Sequence, residues 1–170
     1  MNAREFIWQQ VAAAHELSEA AMAGVTEAQL NWNPPEHAVN PIKTALVHVV
    51  AGEDMFIQRI FLDRPLLWET GQWGAKIGLP YPPGGGRGWD EARNAWLPLT
   101  PVLDYAQAAC SATNDYLANL TEEELDRSVS LFGRQLTVAA TLARLVTHIA
   151  CHAGEIATVK GMQGIVGLPF

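Results

Sequence analysis

The chain has 170 residues, of which 49% are hydrophobic, and a formal net charge of −7 at pH 7. This length is enough for one domain with a substantial core, so we expect a single domain over residues 1–170. The 11 basic residues are scattered along the chain, and no basic stripe interleaved with aromatic residues is available to neutralise a phosphate backbone. The composition therefore argues against nucleic acid as a partner.

The apolar runs are also too short to cross a bilayer. Each is interrupted before the roughly 18 residues that a membrane span needs, and the N-terminus has no signal-peptide pattern. We therefore expect a cytoplasmic protein without a membrane partner. Cys110 and Cys151 lie far apart in predicted helices, which is typical of reduced cysteines.

Four long segments carry apolar residues at helical spacing. They run from Ala3 to about Gly24, from Asn40-Pro41 to about Phe61, from Thr100-Pro101 to about Leu120, and from Thr137 to about Met162. At the start of the second segment, Asn40 is a suitable N-cap residue and Pro41 suits the first helical position. The pattern predicts an all-α protein, with the helices arranged as an antiparallel four-helix bundle.

The connection between the second and third long helices, residues 63–90, is rich in proline and glycine. We predict a long loop without regular elements. Its glycine cluster at residues 84–88 is not a phosphate loop, because the Lys-Ser/Thr pair is missing and no hydrophobic strand precedes it. A mobile connection and a lid over a site both fit this segment. Four aromatic residues favour partial ordering or a dimer contact: Trp68, Trp73, Tyr81 and Trp89.

A brief strand-like stretch at residues 129–136 precedes the last long helix. That helix carries the strongest indication of function, the pair His148 and His152. Residues four apart on a helix share a face, so two imidazoles at this spacing can converge on one ion. The pair alone is also compatible with hydrogen-bonded histidines in the core. It is not a zincin motif, because the spacer Ile149-Ala150-Cys151 lacks the glutamate of HExxH.

A third histidine strengthens the metal interpretation. His48 lies in the middle of the second long helix, where Ala45, Ala51 and Gly52 on its own face would leave space around an ion. Three histidines from two helices form a set with open coordination positions, as at a catalytic ion. Nickel, copper and iron accept imidazole as zinc does, so the set alone does not identify the metal.

The remaining candidates are assigned lesser roles. We expect His15, on the polar side of the first helix, and His37, in the Pro-rich connection, to be solvated or locally bonded. Glu155 and Glu53 are candidates for holding an imidazole N–H or for taking a proton from metal-bound water, and a solvated carboxylate is the alternative for each. Helical geometry turns Cys151 away from the ligand face, so we expect a packed thiol there.

Nearly the whole chain resembles the DinB/YfiT-like superfamily of metal-dependent enzymes, which are four-helix bundles with one histidine on the second helix and an H-x3-H pair on the last. The resemblance rests on Leu30-Asn-Trp-Asn-Pro, on His48 with Glu53, on the stretch His148 to Glu155, and on Gly164 through Pro169. Residues 63–90 depart from it, being longer and richer in proline and glycine than expected of the family. The pocket mouth is therefore the part that the resemblance does not define.

The resemblance implies one divalent transition metal ion, with zinc or nickel as the expected metal, held by His48, His148 and His152. It implies either hydrolysis or a transferase and isomerase activity that uses a low-molecular-weight thiol, with a small-molecule substrate. It also suggests a homodimer. A protein that binds the ion for stability or for a stress response, without turnover, is the alternative.

Overall fold

The computed structural model describes residues 1–168 and is mainly helical, which confirms the predicted class. The helices are α1 (Ala3–Met22), α2 (Glu27–Asn31), α3 (Ile42–Asp54), α4 (Leu67–Thr70), α5 (Trp73–Ile77), α6 (Trp89–Asn94), α7 (Leu99–Ala118), α8 (Glu122–Asp126) and α9 (Val138–Met162). Two short strands, β1 (Ser128–Leu131) and β2 (Arg134–Thr137), precede α9. The C-terminal piece of the family resemblance ends at Pro169, which lies outside the described residues.

The long helices pack through their apolar faces. α9 lies along α1 and α3, and α3 also packs against α7. The inner face of α9 consists of six buried apolar residues at helical spacing: Val138, Leu142, Leu145, Ile149, Ile156 and Val159. Within residues 1–168, no helix has both the length and the apolar character needed to cross a membrane.

Side-chain caps begin two of the long helices, α1 and α9. Asn2 and Glu5 form a reciprocal capping box at α1, and the Thr137 hydroxyl accepts from the Ala140 N–H at α9. The predicted Asn40 cap is wrong, because α3 begins at Ile42 without a side-chain cap. The Asn40 amide instead donates to Oε1 of Glu155 on α9, at 3.0 Å. Asn40 thus makes a contact with a distant helix in place of the predicted helix cap.

Residues 63–90 are not the continuous loop that we predicted. They contain α4 and α5, and α6 begins at Trp89. The short helices form because the segment buries apolar side chains against the long helices: Trp68 is 7% exposed and Ile77 is fully buried. The Trp68 ring meets the Tyr105 ring edge-on, with centroids 5.4 Å apart. Partial ordering by aromatic residues was therefore the better interpretation of this segment.

Asp54 attaches this segment to the long helices. Its two carboxylate oxygens accept the backbone N–H groups of Leu67 and Trp68, each at 2.9 Å, at the start of α4. The buried Tyr105 hydroxyl of α7 donates to the same carboxylate at 2.9 Å. Burial raises the pKa of Asp54, although these three hydrogen bonds oppose that effect. One carboxylate therefore joins α3, α4 and α7.

Two local irregularities lie near one another in the fold. The second long helix continues past α3 as a π-helical segment, Met55–Phe61, which packs against the β1–β2 hairpin and α9. The hairpin turns through Phe132 and Gly133, both with positive φ, as a tight two-residue turn requires. Phe132 is 81% exposed at the tip.

Replacing Asp54 with alanine should destabilise the protein by about 3 kcal/mol, because two backbone N–H groups and one buried hydroxyl lose their acceptor. Denaturant unfolding followed by circular dichroism measures the change. Asp104→Ala is the matched control, since Asp104 is exposed on α7 and should change stability by less than about 0.5 kcal/mol. Equal stabilities of the two variants would show that Asp54 does not anchor the segment.

Candidate metal site

Three histidines converge where α3 and α9 meet. The ligand nitrogens of His48, His148 and His152 all lie within 4.8 Å of one another, and each residue is partly buried. The Nε2 atoms of His48 and His148 are 3.2 Å apart. The structure thus brings together the three residues that the sequence predicted as metal ligands.

Hydrogen bonds orient two of the imidazoles. Nδ1 of His48 donates to the Pro83 carbonyl oxygen at 2.9 Å, and Nδ1 of His152 donates to Oε2 of Glu155 at 2.6 Å. In a neutral imidazole, a proton on Nδ1 leaves the Nε2 lone pair free for a ligand. Asn40 holds the other carboxylate oxygen of Glu155. These contacts form the support that metal-binding histidines usually have.

The environment also favours the neutral form of two of the imidazoles, those of His148 and His48. Burial, with the neighbouring His152 and His48, lowers the pKa of His148 to about 4. Burial lowers the pKa of His48 as well, against the hydrogen bond to Pro83. With the Nδ1 proton of His48 bound to Pro83, its Nε2 lone pair faces Nε2 of His148, a contact that a shared cation would stabilise. The donor set therefore fits a transition metal ion.

Gly52 makes the approach of the two helices possible. A Cβ at position 52 would lie 2.5 Å from Cε1 of His148, well inside any allowed contact. The structure therefore agrees with the expectation that small residues on the His48 helix leave space at the site. Gly84, from the segment before α6, lies against the other side of the site, where a Cβ would be 3.6 Å from Nδ1 of His48.

A cavity of about 770 Å³ opens beside the histidines. Its walls are mainly apolar, and they come from the π-helical segment, the stretch around residues 80–87 and the hairpin tip. Arg87 and Arg144 contribute positive charge, and Trp89 lies with its ring centroid 4.8 Å from that of His48. Residues 63–90 thus contribute part of the cavity wall.

The other candidate residues have separate places. Glu155 contacts His152 as expected, whereas Glu53 faces away from the three histidines and binds Nε2 of His15 at 2.8 Å and the Thr113 hydroxyl. His15 is not peripheral: its side chain is 12% exposed and reaches between α3 and α7.

His37 is exposed, as predicted. Cys151 is also exposed, so the packed thiol predicted there is wrong.

Sequence reasoning missed several residues that complete the site. Pro83 contributes a backbone carbonyl, which no residue-type pattern identifies. Asn40 looked like a helix cap, a local role that such residues often have. Arg87, Arg144 and Phe132 reach the cavity through tertiary packing. Among these, only the spacing of Arg144 and His148, four residues apart on one helix, offered a signal in the sequence.

Comparison with known proteins agrees with this architecture. The chain matches the DinB superfamily over residues 10–156, which is most of its length, and it therefore belongs to the DinB superfamily. The resemblance inferred from the sequence is thus confirmed. Among curated proteins, none matches the chain.

A solved structure supports the fold. The chain is similar to the crystal structure of a conserved protein from Enterococcus faecalis, with a TM-score of 0.79 and 21% sequence identity, over 94% of this chain and 96% of that chain. At this identity the likeness shows the shared fold alone.

Replacing Gly52 with alanine should displace the His148 ring and weaken binding of Zn²⁺ or Ni²⁺ by at least about tenfold, since a metal site depends on ligand geometry. Titration calorimetry measures the affinity. Gly154→Ala is the control, because a Cβ there meets nothing within 4 Å among the described residues. Unchanged affinity in Gly52→Ala, with full affinity in the control, would contradict this geometry.

Replacing Glu155 with alanine should reduce metal affinity by about 10–100-fold, because the His152 imidazole loses the carboxylate that fixes its orientation. The same titration measures the loss, and Glu123→Ala, at an exposed position on α8, should leave affinity unchanged. Wild-type affinity in Glu155→Ala would show that the carboxylate does not support the site.

Proposed function

We propose that this protein is a metal-dependent enzyme with an antiparallel four-helix-bundle domain spanning residues 1–170. One divalent ion, zinc or nickel, is held by His48, His148 and His152. The reaction is a transfer or isomerisation that uses a low-molecular-weight thiol. The convergence of the three imidazoles beside a large cavity carries this proposal.

The size of the cavity supports a reaction between two small molecules. Small-molecule sites are typically about 300–1,000 Å³ and mainly apolar, with a few polar groups that set orientation. The cavity beside His48 and His148, at about 770 Å³, falls in this range. A thiol and an apolar electrophile would fit together in such a space, whereas a single water nucleophile needs little of it.

Charge in the cavity supports an acidic ligand. Arg144 lies one helical turn before His148 on α9, and Arg87 also lines the cavity, with its guanidinium 4.8 Å from the centre of the Tyr81 ring. Guanidinium groups bind carboxylates through paired hydrogen bonds. In this proposal, Arg87 and Arg144 hold the carboxylates of the thiol or its partner while the sulfur faces the histidines.

The carboxylates also favour a thiol over water as the nucleophile. Glu69, which lines the cavity, is bound by Arg59 and by the Leu66 N–H, and Glu155 is engaged by His152 and Asn40. Neither is positioned as a free base. A thiol loses its proton far more readily than water does. When bound, the ion supplies Lewis-acid stabilisation of the sulfur anion.

The histidines and their supports then have defined roles. His48 and His152 hold their protons on Nδ1 through Pro83 and Glu155 and present lone pairs to the ion. The apolar wall, including Phe56 and Trp68, excludes water and so protects a thiolate and its electrophile from side reactions. The homodimer expected from the sequence is still a prediction. Light scattering in solution would measure this oligomeric state.

Protein purified without a histidine tag should contain about one equivalent of transition metal per chain, by elemental analysis, because three converging imidazoles bind such ions tightly. His48→Ala and His148→Ala should each lose it. His37→Ala is the control, since His37 is exposed, and it should retain the metal. Variants that keep full metal content would exclude the three-histidine site.

Activity separates the reaction classes. The metal-loaded protein is tested with a panel of low-molecular-weight thiols plus electrophiles, and with a panel of esters and amides. We expect turnover with a thiol and loss of that turnover in His48→Ala. Turnover of esters or amides alone would identify a hydrolase, and inactivity in both panels would favour a metal-stabilised binding protein.

A further inference from the structure

A second cluster of reactive side chains lies away from the three histidines. His15 on α1 stands between Glu53 on α3 and Cys110 on α7: its Nε2 is 2.8 Å from the Glu53 carboxylate and its Nδ1 is 3.4 Å from the Cys110 sulfur. The Thr113 hydroxyl donates to the same carboxylate oxygen, and the Asn114 amide lies 3.7 Å from the Cys110 sulfur. We call Cys110, His15 and Glu53 the thiol cluster.

The thiol cluster has the order of a cysteine, histidine and acid triad. The two nitrogens lie on opposite edges of the imidazole ring, so the sulfur and the carboxylate cannot converge on one ion. The contacts suit a triad in which the acid orients the histidine and the histidine exchanges a proton with the thiol. Burial lowers the pKa of His15, but hydrogen bonds with Cys110 and Glu53 outweigh it and raise that pKa to about 10.

The sulfur has access to a cavity of its own. A space of about 260 Å³ lies among α1, α3, α7 and α9, and all three members of the thiol cluster line it. The rest of the lining is mainly apolar, with polar groups from Ser18, Glu19 and Gln107. A small molecule that entered this space would meet the Cys110 sulfur. The space is separate from the cavity beside His148.

We propose that Cys110 is a nucleophilic thiol that exchanges with small neutral or cationic disulfides in this cavity. His15, fixed by Glu53, donates its Nδ1 proton toward the sulfur and favours the thiolate. The thiolate attacks one sulfur of the disulfide: the bond from Cys110 forms, the original S–S bond breaks, and the leaving thiolate takes the proton from His15. The products are a mixed disulfide on Cys110 and one free thiol.

Charge in the cavity determines which disulfides react. Besides Cys110 and His15, the titratable groups that line it in the described chain are Glu19 from α1 and Glu53 from α3, while α9 contributes Ile149. Both carboxylates repel anions and attract cations. A cationic disulfide such as cystamine should therefore react faster than the anionic dithiodipropionate.

The second cysteine provides the means to test this proposal. The chain has two cysteines, and Cys151 is exposed without a histidine hydrogen bond among the described contacts. In Cys151→Ser, Cys110 is the sole thiol, and mass spectrometry follows mixed-disulfide formation with cystamine at pH 6. We expect a rate at least about tenfold above that of N-acetylcysteine, because an ordinary thiol is almost fully protonated at this pH.

The pH profile tests the role of His15. In Cys151→Ser the rate should change little from pH 6 to 8. With His15→Gln added, the rate should fall to that of N-acetylcysteine and rise about tenfold per pH unit, as for a free thiol. Circular dichroism checks folding, and Glu53→Gln is the second variant if His15→Gln does not fold.

Three results would overturn the proposal. The first is a Cys110 rate at pH 6 no higher than that of N-acetylcysteine. The second is a pH profile in Cys151→Ser that rises like that of N-acetylcysteine. The third concerns the rates with cystamine and with dithiodipropionate, each divided by the rate of N-acetylcysteine with the same disulfide. If these two ratios are equal, the charge of the cavity does not select the disulfide.

Discussion

The close approach of α3 and α9 is the constraint on which the candidate metal site depends. His148 reaches the His48 imidazole because position 52 has no side chain, and any Cβ there would occupy the space of the His148 ring. The approach also buries the imidazoles, which lowers the pKa of His148 and His48 and keeps both in the form that binds metals. Packing between two helices thus sets both the geometry and the protonation of the site.

Residues 63–90 extend this constraint to the cavity. Asp54, which follows His48 on the same helix, fixes the start of α4, and the Pro83 carbonyl later in the segment holds the His48 imidazole. The segment is therefore attached to α3 at two points. Its apolar and charged side chains shape the space in front of the ligands.

The repeating and local signals in the sequence predicted much of this molecule. Apolar periodicity located the long helices, and the order of His48, His148 and His152 indicated the metal ligands and the superfamily. What failed depended on contacts between distant segments: Asn40 bonds to Glu155 instead of capping α3, and residues 63–90 fold because buried aromatic residues and Asp54 hold them. His15 was misplaced for the same reason, since its partners Glu53 and Cys110 lie on other helices.

X-ray absorption spectroscopy of the zinc-loaded protein tests the central claim, that three imidazoles form one metal site. Three imidazole nitrogens should lie at about 2.0–2.1 Å from the ion, together with at least one exchangeable oxygen ligand. On addition of a small thiol, one sulfur at about 2.3 Å should replace that ligand. A spectrum with fewer than three imidazoles, or with sulfur bound before any thiol is added, would contradict it.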